Sequence, residues 1–295
     1  MIKKLNGWIF IDKPPDISSF EVIKIVKKIL RVNKLGHSGT LDPFATGVLA
    51  IALGEATKSI KYFNSEKTYD FDITFGESKD TDDIKGKTIK SSELIPNLKE
   101  IKKVLPEFLG PIEQIPPKFS AVKVNGVRAY KLARKERNFD LKAKKISIHS
   151  IDCFDNKKKH TFSFLMSCSS GTYVRSFARD LAKRLNTYAY VSKLRRTEIG
   201  KFGEKDIILL DKLSNLVHIG DHFKTIHPVE DVLDDIPAVN LKTQDGQRFK
   251  NGLEIKFFSK DLSLEDLLVF ANGNLIGVGK IINGLISPKR GFNLN

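Results

Sequence analysis

One run of twelve residues constrains this chain more than any other: Gly36-His37-Ser38-Gly39-Thr40-Leu41-Asp42-Pro43-Phe44-Ala45-Thr46-Gly47. So many glycines in so short a span suit a loop whose backbone comes close to something else, not an element that buries a face. Asp42 is its only strong acid, so chemistry here falls to that carboxylate or to the backbone amides. Asp42-Pro43 is also how a helix begins, with Asp as N-cap and Pro at the first helical position. No Gly-Lys-Ser/Thr follows the glycines, which excludes a Walker phosphate loop, and their spacing is not that of the dinucleotide fingerprint.

Charge narrows the partners. Fifty Lys and Arg stand against 35 Asp and Glu in 295 residues, a net charge of +15. Such a surface attracts polyanions, nucleic acid above all. The excess is clustered: residues 118–146 hold ten Lys and Arg, among them Lys123, Arg128, Lys131, Arg134 and Lys135, against only Glu136 and Asp140. This segment opens with a hairpin signal, Asn125-Gly126, and continues as a helix over 129–137. It reads as a basic arm inserted between core elements and aimed at a polyanion. No apolar run approaches the roughly 18–20 residues that span a bilayer. Lys3 and Lys4 precede only four apolar residues, 8–11, which read as a strand rather than a signal peptide. A cytoplasmic protein is expected. The two cysteines, Cys153 and Cys168, make no CxxC pair and the six histidines no HExxH, so neither a zinc motif nor a disulfide framework is expected.

Periodicity sets the elements. Residues 8–12 read as a short buried strand ended by Lys13-Pro14-Pro15. Ser18 or Ser19 caps a helix whose apolar face is Val22, Ile25, Val26, Ile29 and Leu30. Tyr69, Phe71, Ile73 and Phe75 alternate with Asp70, Asp72 and Thr74, a half-buried strand with Tyr69 on its apolar face. Residues 76–86 carry Glu77, Asp80, Asp82 and Asp83 without calcium-loop spacing, and read as a solvated acidic turn. A helix near 98–105 and strands at 146–151 and 161–167 follow. Val174, Phe177, Ala178, Leu181 and Leu185 mark the buried stripe of another helix. Arg175 sits beside that stripe in the first turn, where the helix dipole disfavours a cation; a partner carboxylate or an escape to water accounts for it. Residues 193–197 read as a short basic strand, and 211–216 and 229–233 as helix fragments. From 236 onward, 247–252, 267–270 and 275–282 read as short strands between Asn/Gly turns. The expected domains are therefore 1–235 and a small all-β module, 236–295.

Four separated stretches carry a resemblance: Asp12-Lys13-Pro14, the twelve-residue string, Lys67-Thr68-Tyr69 and Gly171-Thr172-Tyr173-Val174-Arg175. Phe119-Ser120-Ala121-Val122-Lys123-Val124-Asn125-Gly126 and Leu194-Arg195-Arg196 add support. In this order they resemble the TruB-type tRNA pseudouridine-55 synthases, with Ser38 where Thr is common. The resemblance implies an α+β fold, a mixed, mainly antiparallel central sheet with flanking helices, the basic arm, and a PUA-like C-terminal RNA-binding module. It implies conversion of uridine-55 in the T loop of tRNA to pseudouridine, with the base flipped out and no cofactor or metal. The base is only detached from C1′ at N1, turned, and rejoined at C5. By the same resemblance Asp42 is the catalytic aspartate, Tyr69 the ring that stacks on the base and a candidate general base, and Arg175 the partner of Asp42. His37, Tyr173, Leu194 and Lys13 surround the substrate, and the arm cations contact RNA. The implied partner is the T stem-loop of tRNA, met by a monomer that needs no protein partner. Two other readings remain: a non-catalytic RNA-binding or tRNA-folding protein, and a synthase directed by a guide RNA.

Overall fold

The structure is a computed structural model and describes residues 5–257 and 262–294, so Lys3 and Lys4 lie outside the described residues. Alternation builds its first layer. Strands Gly7–Lys13 and Thr46–Leu53 pair antiparallel, from Gly7↔Leu53 to Lys13↔Gly47. Ile9, Ile11, Leu49 and Ile51 line one face and Trp8, Phe10, Val48 and Ala50 the other, and both faces are buried. Helix Ser19–Leu30 covers the first face with Val22, Val26 and Leu30, and Ser18 and Glu21 close a capping box at its start. Ile25, expected on the buried face, is exposed, because the fully buried row is 22–26–30, with Ile23 and Ile29 partly buried beside it.

Among the described residues these strands belong to a nine-stranded sheet. Its order is Ile208–Leu209, Gly7–Lys13, Thr46–Leu53, Ala189–Ile199, Lys67–Phe75, Thr161–Cys168, Lys144–Asp155 and Gly110–Gln114, with Leu35–Ser38 paired to Thr46–Leu53 off that path. Two pairings are parallel, Gly7–Lys13 with Ile208–Leu209 and Thr46–Leu53 with Ala189–Ile199; the rest are antiparallel. This is the mixed, mainly antiparallel sheet with flanking helices that an α+β reading expects. Helix Val174–Arg184 packs Phe177, Ala178 and Leu181 onto Phe71, Phe164 and Met166. The rings of Phe71, Phe164 and Phe177 lie 5.3 to 6.2 Å apart between centroids. No helix among the described residues is long and apolar enough to cross a membrane.

A second sheet contains Ala238–Leu241, Leu264–Ala271, Asn274–Ile282, Leu285–Gly291 and Ile255–Lys256. Its curled form is consistent with a PUA-like module. Leu268, Leu275 and Val278 from this sheet, and Phe292 just after it, share a core with Trp8, Phe10 and Val48 of the first. The all-β expectation needs one correction: the strand expected at 247–252 is the end of helix Thr243–Lys250 and a turn. Gly246 and Phe249, three residues apart, form its buried side, a helical spacing hidden in a polar segment. In the basic arm, Asn125 and Gly126 both have positive φ between Lys123–Val124 and Val127–Arg128, the expected hairpin turn. The helix expected over 129–137 spans only Ala129–Ala133, and the positive φ of Glu136 closes the turns that follow.

The parallel pairing requires a glycine. Arg196 lies opposite Gly47, whose φ is +99°, and a Cβ at Gly47 would come within 2.1 Å of the Arg196 carbonyl oxygen. Gly47→Ala is therefore expected to lower the unfolding free energy in urea by about 3 kcal/mol, combining backbone strain and overpacking. A loss below about 0.5 kcal/mol, the range of an indifferent surface change, would show that the strands separate without cost.

Candidate active site

Asp42 stands in the connection between Leu35–Ser38 and Thr46–Leu53, which pair antiparallel from Leu35↔Leu53 to Ser38↔Ala50. The twelve-residue string is thus a hairpin, and Asp42-Pro43 does not start a helix. The amide of Ala45 donates to the Asp42 carbonyl at 3.1 Å, closing a tight turn with Pro43 in its second position. Asp-Pro opens a type I turn as readily as a helix, so the local signal alone does not separate the two.

The turn is held from behind. The Ser19 hydroxyl accepts from the Leu41 amide at 2.9 Å and donates to the Leu41 carbonyl at 3.0 Å. Lys13, fully buried, donates to the carbonyls of Pro14, Ile17 and Pro43 at 2.8, 2.7 and 3.0 Å, which uses all three of its protons. Burial pulls its pKa down to about 8, with the negative charge of Asp42 the largest opposing influence. Lys13, expected beside the substrate, is not among the residues that line the cleft described below; it fixes the turn that carries Asp42.

Arg175 meets Asp42 from the other side. It lies in the first turn of Val174–Arg184 and is only 3% exposed. Its Nη2 donates to Asp42 Oδ1 at 2.7 Å and to the Phe119 carbonyl at 3.1 Å. Its Nη1 donates to the Thr81 carbonyl at 2.9 Å and lies 3.5 Å from Asp83 Oδ2. The helix dipole gives no reason for a cation here; the carboxylates do. One turn further on, Arg179 pairs with Asp82 at 3.2 Å. Glu77 and Asp80 of the acidic turn are exposed, as expected, but Asp82 and Asp83 fold inward. The Ile84 amide donates to the Val191 carbonyl and the Val191 amide to the Asp82 carbonyl, which fastens the turn to the central sheet. Burial raises the pKa of both Asp82 and Asp83, while the facing arginines oppose the rise. Sequence reasoning missed these two residues. The signal available was Arg175 and Arg179 at helical i, i+4 spacing, two cations on one face in need of two anions.

These groups open into a cleft of about 950 Å³. Asp42, Arg175, His37, Tyr69, Tyr173 and Leu194 all line it, and Arg134 of the basic arm reaches its wall. Lys123, Arg128, Lys131 and Lys135 are exposed and lie outside that lining. Tyr69 presents its ring from the buried face of Lys67–Phe75, and burial pushes its phenol up to about 12, so it keeps its proton at neutral pH. Burial, helped by the charge of Arg196, lowers the pKa of His37 and favours a neutral ring. The side-chain amide of Gln114 fixes the Tyr173 backbone in both directions, at 2.8 and 3.1 Å. Arg196, fully buried, donates to the carbonyls of Val48 and Gly39 at 2.7 and 3.0 Å and ties the hairpin to the neighbouring strand. Among the described residues no three His, Cys, Asp or Glu side chains group as metal ligands.

Arg175 holds two carboxylates, and its removal leaves both without their cation. Arg175→Met is expected to lower the unfolding free energy by about 3–5 kcal/mol, the cost of uncompensated buried charge. Asp83→Asn, which keeps size and hydrogen bonding, is expected to cost only about 1 kcal/mol, the scale of a single hydrogen bond. Equal losses in urea unfolding would contradict the view that Arg175 is the hub.

Three family models match successive parts of the chain. "TruB family pseudouridylate synthase (N terminal domain)" covers residues 27–174, "tRNA pseudouridylate synthase B C-terminal domain" 175–234, and "Pseudouridine synthase II TruB, C-terminal" 237–292. A tRNA pseudouridine synthase B of Ehrlichia ruminantium (strain Gardel) is 41% identical, over 98% of this chain and 100% of the relative. The protein of that name from Bradyrhizobium diazoefficiens is 39% identical, over 99% of this chain and 87% of its own. Among solved structures, "Structure of H/ACA RNP bound to a substrate RNA containing 2'-deoxyuridine" superposes with a TM-score of 0.73 at 22% identity, covering 97% of this chain and 85% of that one, a likeness of fold. The matched segments and the near full-length identity together establish that the chain belongs to the TruB family of pseudouridylate synthases.

Proposed function

We propose that this chain isomerises a uridine of tRNA to pseudouridine, specifically uridine-55 of the T loop, with Asp42 as the reactive carboxylate. The observation that carries the reading is the Asp42 carboxylate gripped at 2.7 Å by a buried arginine, in a cleft walled by the ring of Tyr69. The relatives' activity on tRNA supports the substrate.

The reaction breaks N1–C1′, turns the base and forms C5–C1′. The proton on C5 leaves and N1 gains one, so no oxidant or transferred group is needed. An ionised carboxylate serves this chemistry as a transient covalent partner of the base or of the sugar, and both routes need it charged and aimed. Arg175 aims it, through a charge-assisted hydrogen bond at 2.7 Å to Oδ1. The uridine must first leave the stack, at a cost of a few kcal/mol. Stacking on Tyr69, worth about 1–3 kcal/mol per base, offsets that cost. Tyr173 and Leu194 confine the flipped base, and His37 stands beside it. The exposed arm cations Lys123, Arg128, Lys131 and Lys135, with Arg134, meet the phosphates of the T stem-loop. In this reading residues 1–235 catalyse, 236–295 add RNA contacts, and the chain acts as a monomer.

Tritium release from tRNA labelled with [5-³H]uridine tests the reading. The purified chain alone is expected to release tritium, and Asp42→Asn to release it at least about 10⁴-fold more slowly, the scale seen for loss of a catalytic side chain, with tRNA binding retained. Full activity in Asp42→Asn would remove Asp42 from the mechanism. Binding without release by the wild type would favour an RNA-binding or tRNA-folding protein.

A further inference from the structure

The cleft has two walls of opposite character. One carries Asp42 with its arginine. The other carries Lys67, 6% exposed, two residues before Tyr69 on the same buried face of strand Lys67–Phe75. Lys67 differs from Lys13 although both are buried lysines. Lys13 gives its three protons to three carbonyls within 3.0 Å and never reaches the cleft. Lys67 has two close acceptors, the Ser65 carbonyl and the Ser170 hydroxyl at 3.0 Å, and a third contact stretched to 3.4 Å at the Ser65 hydroxyl. No carboxylate forms an ion pair with Lys67 or with Arg196 among the described residues.

Arg196 reinforces this wall from beneath. It is fully buried, and its Nη1 has no hydrogen-bond partner. Gly39 lies over both cations: a Cβ there would stand 3.0 Å from Lys67 Cε and 3.2 Å from Arg196 Nη1. Two buried cations with no anion of their own, beside Ser65, Ser170 and a glycine on an open cleft, make a region of positive potential with room left at its surface. Strand geometry sets its distance from the base platform: residues two apart on one face are separated by about 6.6 Å, the scale that divides a nucleobase from the phosphates of its own nucleotide.

We propose that Lys67, with the hydroxyls of Ser65 and Ser170 and the charge of Arg196 behind them, forms a phosphate subsite that seats a backbone phosphate of the nucleotide whose base stacks on Tyr69. The inference rests on the functional reading above and deepens it. Lys67 then measures one nucleotide against Tyr69, holding the sugar between them with C1′ toward Asp42. The anchoring of the target nucleotide is thereby separate from the arm cations, which meet the rest of the stem-loop.

The test couples a side chain to a single phosphate. T stem-loop RNAs are made with one neutral methylphosphonate, either 5′ or 3′ of the target uridine, and their Kd and single-turnover rates are measured with wild type, Lys67→Met and Ser170→Ala. One of the two RNAs is expected to bind wild type about 10-fold more weakly, the scale of one charge-assisted hydrogen bond. Lys67→Met is expected to bind the unmodified RNA about 10-fold more weakly and to lose nothing further with that methylphosphonate. Losses that multiply would show that Lys67 acts only through the fold, and would overturn the proposal. Methylphosphonates without effect on the wild type would overturn it whatever the variants do. Ser170→Ala, at an exposed position, supplies the same comparison should Lys67→Met fail to fold. Wild type that makes no pseudouridine in the unmodified RNA would overturn the functional reading and this inference together, whereas multiplying losses overturn this inference alone.

Discussion

A guanidinium that has lost its water must find anions and carbonyls, and the organisation of this protein around its cleft follows from where Arg175 finds them. Its partners Asp42, Thr81 and Phe119 are 133, 94 and 56 residues away in the chain. They bring the hairpin turn, the inward-folded acidic turn and the root of the basic arm to the start of one helix. Each segment is a loop, and none has a core of its own. The central sheet supplies the rigidity: the acidic turn is fastened to Val191, the hairpin to Arg196, and the helix to Phe71 and Phe164. The Asp42 carboxylate is thus positioned by segments held on the sheet, with the Arg175 contact at 2.7 Å as the last link.

Electrostatics divides the cleft. On the Asp42 side, the carboxylates of Asp42, Asp82 and Asp83 are paired within the protein with Arg175 and Arg179. On the Lys67 side, positive charge is left without a carboxylate among the described residues. In the proposed reading a nucleotide satisfies both sides, with an uncharged sugar and base toward the aspartate and a phosphate toward the lysine. The protonated phenol of Tyr69 and the neutral ring of His37 line the same cleft and add surface without charge.

Much of this was legible in the sequence, and the remainder was hidden for definite reasons. The alternation of Tyr69, Phe71, Ile73 and Phe75 and the stripe from Val174 to Leu181 are local, and both appear as read. Asp42-Pro43 was ambiguous because a turn and a helix start share their first two residues. Asp82 and Asp83 looked solvated because an acidic run is usually so, and their burial depends on arginines some 90 residues downstream. The structural part played by Lys13 was not legible because its three acceptors are backbone carbonyls, which leave no mark in a sequence. Residues 247–252 passed for a strand because the helix that ends there, Thr243–Lys250, buries only Gly246 and Phe249 and shows almost no apolar period.

The central claim is that the place of the Asp42 carboxylate, and not only its charge, makes the cleft reactive. Asp42→Glu keeps the charge and moves the carboxylate by one methylene. Single-turnover pseudouridine formation in tRNA is predicted to slow by about 10²-fold or more, the cost of a misplacement near 1 Å, while the tRNA Kd stays within about twofold, well under the 1.4 kcal/mol that a tenfold change represents. A glutamate variant as fast as the wild type would contradict the account, because the turn, Lys13 and Arg175 would then be holding in place a group whose position does not matter.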